Sequence, residues 1–238
     1  MIEDKVLAEL ERHINNPADS EFLGRFFKTG EGQYGAGDTF IGVRVPQTRV
    51  VAKQFHDISL KDIETLLESQ IHEIRLLAVI IMTERYKKAK KNPEERQALY
   101  DLYLRRTDRI NNWDIVDTSC REIVGQHVID HPEDANVLRK LAKSKDLWER
   151  RIAMVSCWQL IIKNQLDIPY EIAEMLLGDT HDLMHKAVGW MLRTAGDKDQ
   201  DRLREFLNSQ IARIPRTALR YSIEHFDPEE RQYFLKLK

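Results

Sequence analysis

Apolar positions along this chain recur every three to four residues, the spacing that lines one face of a helix. Val6, Leu7, Leu10 and Ile14 place a helix over residues 3–15, and a second runs through 21–27. Pro46 sits where a helix begins, and Ser59 with Asp62 reads as a cap for the next. Ile74, Leu77, Ala78, Ile81 and Met82 form the stripe of a long helix over 72–88. Asn92 and Pro93 then open a helix through 103, followed by helices over 113–129, 134–142 and 148–163. Further helices are predicted at 170–177, 182–193, 201–207 and 215–225, with a short terminal one. No segment alternates as a strand would, so the fold class is all-α.

The long helices repeat loosely. Segments 72–79, 148–155 and 184–191 align, and the steps from Asp117 to Arg151 and from Arg151 to Trp190 are 34 and 39 residues. These lie close to the about 40-residue period of HEAT-like helical pairs. One domain over 1–238 is expected, a superhelical solenoid whose second helices line a concave face.

The stretch from Asn111 to Asp117 organises the rest. Asn112 can cap the helix that follows it, and Trp113 and Asp117 lie one turn apart on the same side. Asp117 also borders the apolar stripe of Val116, Cys120, Val124 and Val128. A carboxylate turned partly toward a core is costly unless a cation or hydrogen-bond donor meets it. Arg151 lies on a ridge with Trp148, Val155 and Trp158, and Trp190 flanks the stripe of Met184, Ala187, Val188 and Met191. At matching phases of successive repeats, such residues would converge on one surface.

Charge and cysteines narrow the setting. Charged residues make up 32% of the chain but balance to −2, so no global basic signal announces nucleic acid, although a basic face can coexist with an acidic back. Cys120 and Cys157 fall within helices and form no CxxC pair, which suits a reducing compartment and predicts a cytoplasmic protein. No signal pattern or membrane-length apolar run is present. Gly30, Gly32 and Gly35 spell GxGxxG, but no strand precedes them and no helix opens on the last, so a flexible surface loop is expected over 29–40. His127/His131 and His181/His185 have i, i+4 spacing without a third ligand, and are expected to face solvent and bind no metal. Lys87 and Lys88 close a helix where cations suit its dipole and could also meet phosphates; Arg213, Arg216 and Arg220 form a second basic rim.

Taken together, Trp113–Asp117 with its Trp-Asp-Ile-Val-Asp motif, the segment from Trp148 through Arg151 to Ala153, the segment from Lys186 through Trp190 to Arg193, and the run from Phe40 through Pro46 to Arg49 resemble the AlkD-type DNA alkylation-repair glycosylases, which are built of HEAT-like helical pairs. The resemblance spans roughly residues 22–225. It implies a catalytic carboxylate at Asp117, active-site tryptophans at Trp113 and Trp190, and a phosphate contact at Arg151, with Arg150 an adjacent competitor. The family's N-terminal aromatic falls on Phe26 or Phe27.

The chemistry matches those residue types. An N3- or N7-alkylated purine already carries positive charge and leaves without a general acid; the sugar, becoming oxocarbenium-like, needs stabilisation. A fixed carboxylate and aromatic faces supply it, and the carboxylate can orient the attacking water. The resemblance further implies hydrolysis without base flipping, unlike most glycosylases. The expectation is a monomeric glycosylase on alkylated double-stranded DNA, with no cofactor, membrane or obligate protein partner. A non-catalytic helical-repeat binder of branched nucleic acid or protein is the alternative.

Overall fold

A computed structural model describes residues 1–14, 16 and 19–238. The described residues form helices and no strand; a single isolated parallel bridge joins Thr39 to Ile71. The chain divides into two compact units, Met1–Ser119 and Cys120–Lys238.

The first unit contains α1 (Ile2–Glu11), α2 (Asp19–Gly24), α3 (Val45–Gln54), α4 (Leu60–Leu67), α5 (His72–Lys88), α6 (Pro93–Arg105) and all but the last residue of α7 (Trp113–Cys120). Its core is α5, buried from His72 through Thr83 against α1, α3 and α4, which accounts for the uninterrupted apolar run from Leu76 through Met82. Ser59 caps α4 as expected: its Oγ accepts from the Asp62 N–H at 3.1 Å while the Asp62 carboxylate accepts from the Ser59 N–H at 3.3 Å. Arg85, near the end of α5, donates to the Ile58 carbonyl just before α4 at 2.7 Å, so the two helices run antiparallel.

The second unit contains α8 (Gln126–Asp130), α9 (Asn136–Ala142), α10 (Leu147–Ile162), α11 (Asp167–Leu176), α12 (Asp182–Gly196), α13 (Gln200–Gln210), α14 (Arg216–Ser222) and α15 (Pro228–Leu237). Arg151 on α10 meets Leu183 on α12, and seven residues further along each helix Trp158 meets Trp190. Equal advances along both show that α10 and α12 run parallel, as successive second helices of a stacked array do. Gly189 lets α12 approach α14 closely. A Cβ there would lie 2.5 Å from both the Ala218 carbonyl oxygen and the Tyr221 Cβ, inside contact distance.

Several boundaries differ from the periodicity. The helix expected over 113–129 widens into a π-turn at Arg121–Gly125 before resuming as α8, a local insertion that period counting does not see. The helix expected over 134–142 opens with a 3₁₀ turn, Pro132–Ala135. The first helix ends at Glu11; the expected extension to Asn15 reaches a residue outside those described. No helix is long and apolar enough to cross a membrane among the described residues.

Candidate functional site

In the first unit the start of α7 is held by a chain of buried charges. Asn112 is fully buried; its Oδ1 accepts from the Trp113 N–H at 2.9 Å and its Nδ2 donates to Asp38 at 3.1 Å. Asp114, in the first turn, accepts from His72 Nε2 at 2.8 Å, and the other ring nitrogen of His72 faces Asp38 at 3.3 Å. Arg75 donates to the second oxygen of Asp38 at 2.5 Å and to the Ser69 carbonyl at 2.9 Å. Burial alone would push the His72 imidazolium toward deprotonation. The Asp114 and Asp38 carboxylates outweigh it and raise the His72 pKa to about 9, so both ring nitrogens donate. For Asp38, burial pulls upward, and the hydrogen bond from His72 with the charge of Arg75 turns the balance downward. Two cations and two anions thus compensate one another in the interior, a cluster that becomes costly when one member is removed.

Aromatic rings cover this cluster. Phe27 stacks on Trp113 at 5.2 Å and on Phe40 at 4.8 Å, and both phenyl rings lie 4.7 Å from the His72 ring. The imidazolium is therefore flanked by two π faces that favour its charge. The structure also separates the two adjacent phenylalanines: Phe27 is buried beside Trp113, whereas Phe26 is 58% exposed and packs edge-on against Phe22. Phe27 is accordingly the aromatic that meets the tryptophan.

The loop over 29–40 consists of turns with mostly exposed residues, but its end is firmly anchored through Asp38, Thr39 and Phe40. Just beyond, the buried carboxylate of Glu73 accepts from the N–H groups of Ile41 at 3.1 Å, Gly42 at 2.8 Å and Val43 at 3.3 Å. Gly42 reaches φ +91, a conformation open to glycine, and this turns successive amides onto one anion.

Along α7, Trp113 and Asp117 are both half-buried and one turn apart, as the spacing implied, with Val116 and Cys120 buried beside them. The remaining candidates fall in the second unit. Arg151 is buried, 5% exposed, and donates through Nη1 to the Leu183 carbonyl at 2.7 Å. Arg150 commits its guanidinium to Asp179 at 2.6 Å and to the carbonyls of Ser144 and Lys145 at 3.1 and 2.9 Å, tying together the turns that precede α10 and α12. Trp190 is half-buried and packs edge-on against Trp158 at 4.9 Å; Arg121 lies over the Trp158 ring at 4.6 Å.

Among the other cations, Lys87 pairs with Glu84 at 3.3 Å, whereas Lys88 lines a groove of about 450 Å³ with Arg49, Lys53 and His56. The expected rim of Arg213, Arg216 and Arg220 is divided. Arg213 pairs with Glu174 and Arg216 donates to the Leu235 carbonyl, which leaves Arg220 facing a groove of its own. The expectation that the paired histidines face solvent fails for His127. It is buried, lies 4.7 Å from His131 ring to ring, and contacts Asp134 through Nε2 at 2.9 Å. His185 donates to the Asp179 carbonyl at 2.6 Å, and His181 Nδ1 accepts from the Leu183 N–H at 3.2 Å. Among the described residues, no group of three His, Cys, Asp or Glu side chains is arranged to hold a metal.

The sequence assigns no role to Asp38, His72 or Asp114, although Asp114 lies inside the Trp-Asp-Ile-Val-Asp motif and His72 opens an aligned segment, and it places Trp158 only as one member of an apolar ridge. The signal for Trp158 was available: it stands seven residues from Arg151, two turns along one face.

Packed helices without a strand among the described residues define an all-α protein of the helical-repeat class. The model of the DNA alkylation repair enzyme family matches residues 6–226, and the chain belongs to that family. It is similar in fold to a solved structure, "Predicted DNA alkylation repair enzyme from Enterococcus faecalis", at 18% identity and a TM-score of 0.70, over 90% of this chain and 97% of that one. Comparison with curated proteins finds no match.

Proposed function

We propose that this protein is a DNA glycosylase that hydrolyses the N-glycosidic bond of positively charged N3- and N7-alkylpurines in duplex DNA. The observation that supports it best is the pairing of Trp113 and Asp117, half-buried one turn apart on a helix whose first residues are locked by the His72 cluster. In this reading Asp117 stabilises the sugar cation and orients the attacking water, without donating a proton to the base. Trp113 offers an aromatic face to that cation, and Trp190 is the second tryptophan for which the resemblance implies a part in catalysis. Arg151 holds a backbone phosphate, and Lys88 contributes to phosphate binding. The protein works as a cytoplasmic monomer, as one domain over 1–238, with no cofactor and without flipping the base. Incubation with duplex DNA containing N7-methylguanine, followed by measurement of free base and abasic sites, is expected to show release. A protein that binds the duplex and releases nothing would be a non-catalytic binder.

Arg151→Ala is expected to weaken binding similarly across DNA sequences and to lower the slope of log K against log salt by about 0.9, the value for one lost phosphate contact. Fluorescence anisotropy over a salt series measures it. Because Arg151 is buried on the Leu183 carbonyl, melting temperature is recorded alongside; a lower melting point with an unchanged salt slope would make the residue a structural tie only.

A further inference from the structure

A polar groove of the second unit lies along α12, on the flank that carries Trp190. It encloses about 740 Å³ between α12, α14 and α15. Lys186 and Arg193 line it from α12, one turn either side of Trp190; Arg220 lines it from α14 and Arg231 from α15. Two acidic groups, Asp182 and Glu224, also face it. They are already engaged: Asp182 pairs with Lys186 at 2.7 Å, and Glu224 pairs with Arg193. Arg220 and Arg231 are exposed, and neither has an ion-pair partner among the described residues. The groove therefore keeps two uncompensated guanidinium groups, and Thr217 and Tyr221 line it as well.

Such an arrangement differs from an ordinary solvated face. Most arginines of this unit are satisfied locally, as Arg139 is by Glu171, Arg150 by Asp179, Arg202 by Asp167 and Arg204 by Glu230. The balanced total charge of the chain thus conceals a local excess in this concavity. A guanidinium presents paired N–H groups that match phosphate oxygens, and its weak hydration suits it to a partly enclosed groove. The volume is far larger than one phosphate needs and suits a run of backbone.

We propose that this groove binds the phosphodiester backbone of DNA at nucleotides beyond the lesion, with Arg220 and Arg231 as its phosphate contacts; the proposal rests on the glycosylase reading above. Bound phosphates would also compete for Lys186 and Arg193, whose present partners are surface carboxylates in weak, screened pairs.

The test uses the full chain and a lesion-free duplex, so that its result does not depend on excision. Arg220→Gln with Arg231→Gln is compared with the wild type by anisotropy over a salt series. Loss of two phosphate contacts is expected to lower the salt slope by about 1.8 and the affinity by roughly tenfold or more at low salt. Lys236→Gln, an exposed cation of α15 outside the groove, serves as the control for net charge and should leave the slope unchanged. An unchanged slope in the double variant overturns the proposal, as does loss of binding to polyglutamate with duplex binding intact, which would mark a surface for acidic proteins. Wild-type protein that binds the duplex through the groove but releases no alkylated base would instead overturn the glycosylase reading and leave the groove standing.

Discussion

Asp117→Asn is expected to lower the rate of N7-methylguanine excision by about 10²–10³-fold, the usual consequence of removing one preorganised electrostatic group. The substitution keeps the size of the side chain and most of its hydrogen bonding, but removes the negative charge that would face the forming sugar cation. Asp117 is half-buried on α7, close to the fully buried Val116 and Cys120, so the charge is partly shielded from water and acts at short range. Affinity for duplex DNA should be equal or slightly higher, because an anion near the phosphates has gone. Trp113→Ala and Trp190→Ala should each lose less, since one cation–π face contributes about 0.5–2 kcal/mol. Single-turnover assays at saturating enzyme separate the chemical step from binding. Excision by Asp117→Asn at the wild-type rate would reduce this residue to a helix carboxylate with no part in the chemistry.

His72→Leu should destabilise the protein by about 3–5 kcal/mol, because it leaves the Asp38 and Asp114 carboxylates in the interior without the cation between them. The wild type should also show a distinctive alkaline weakness. The folded pKa of His72 is raised from 6.5 to about 9, so the folded state holds its proton more tightly than the unfolded chain does. The stabilisation is complete below pH 6.5 and disappears as pH rises through about 9. Its size is on the order of 3 kcal/mol. On the acid side the sign reverses: Asp38 has a lowered pKa, so its contribution is present above the ordinary carboxylate value near 3.8 and is lost as pH falls through the folded value. Urea unfolding at a series of pH values measures both limbs. His72→Gln, which keeps a polar side chain but cannot titrate, should lose the alkaline slope between pH 6.5 and 9; its retention would assign that slope to another group.

The helices were readable because their signal is local. A stripe such as Ile74, Leu77, Ala78, Ile81 and Met82 follows from the 3.6-residue turn, and each of these side chains is buried in α5. The one-turn relation of Trp113 to Asp117 has the same origin and needs no knowledge of the rest of the molecule. Capping was legible too, because the Ser59–Asp62 exchange closes within four residues. The π-turn after α7 was not, since a widened turn leaves the apolar spacing nearly intact while shifting every later side chain.

Charge partners obey no such local rule. Asp38 and His72 are 34 residues apart, His72 and Asp114 42, and Asn112 and Asp38 74, yet the four side chains form one buried network. Nothing in their flanking residues marks which partner each one meets. A buried ionic group is tolerated only where folding brings a partner within hydrogen-bonding distance, and that distance is a property of how α5, α7 and the loop ahead of α3 pack. Likewise Arg213, Arg216 and Arg220 are one residue type at nearly even spacing, and only packing commits the first to Glu174 and the second to the Leu235 carbonyl while leaving the third in the groove. Helix geometry acts over a single turn and is written into residue order, so the helical class and the pairing of Trp113 with Asp117 belong to the chain alone. The compensation of buried charge acts through space, and it was the packing of distant segments that set His72 behind Trp113 and left two arginines without counter-ions.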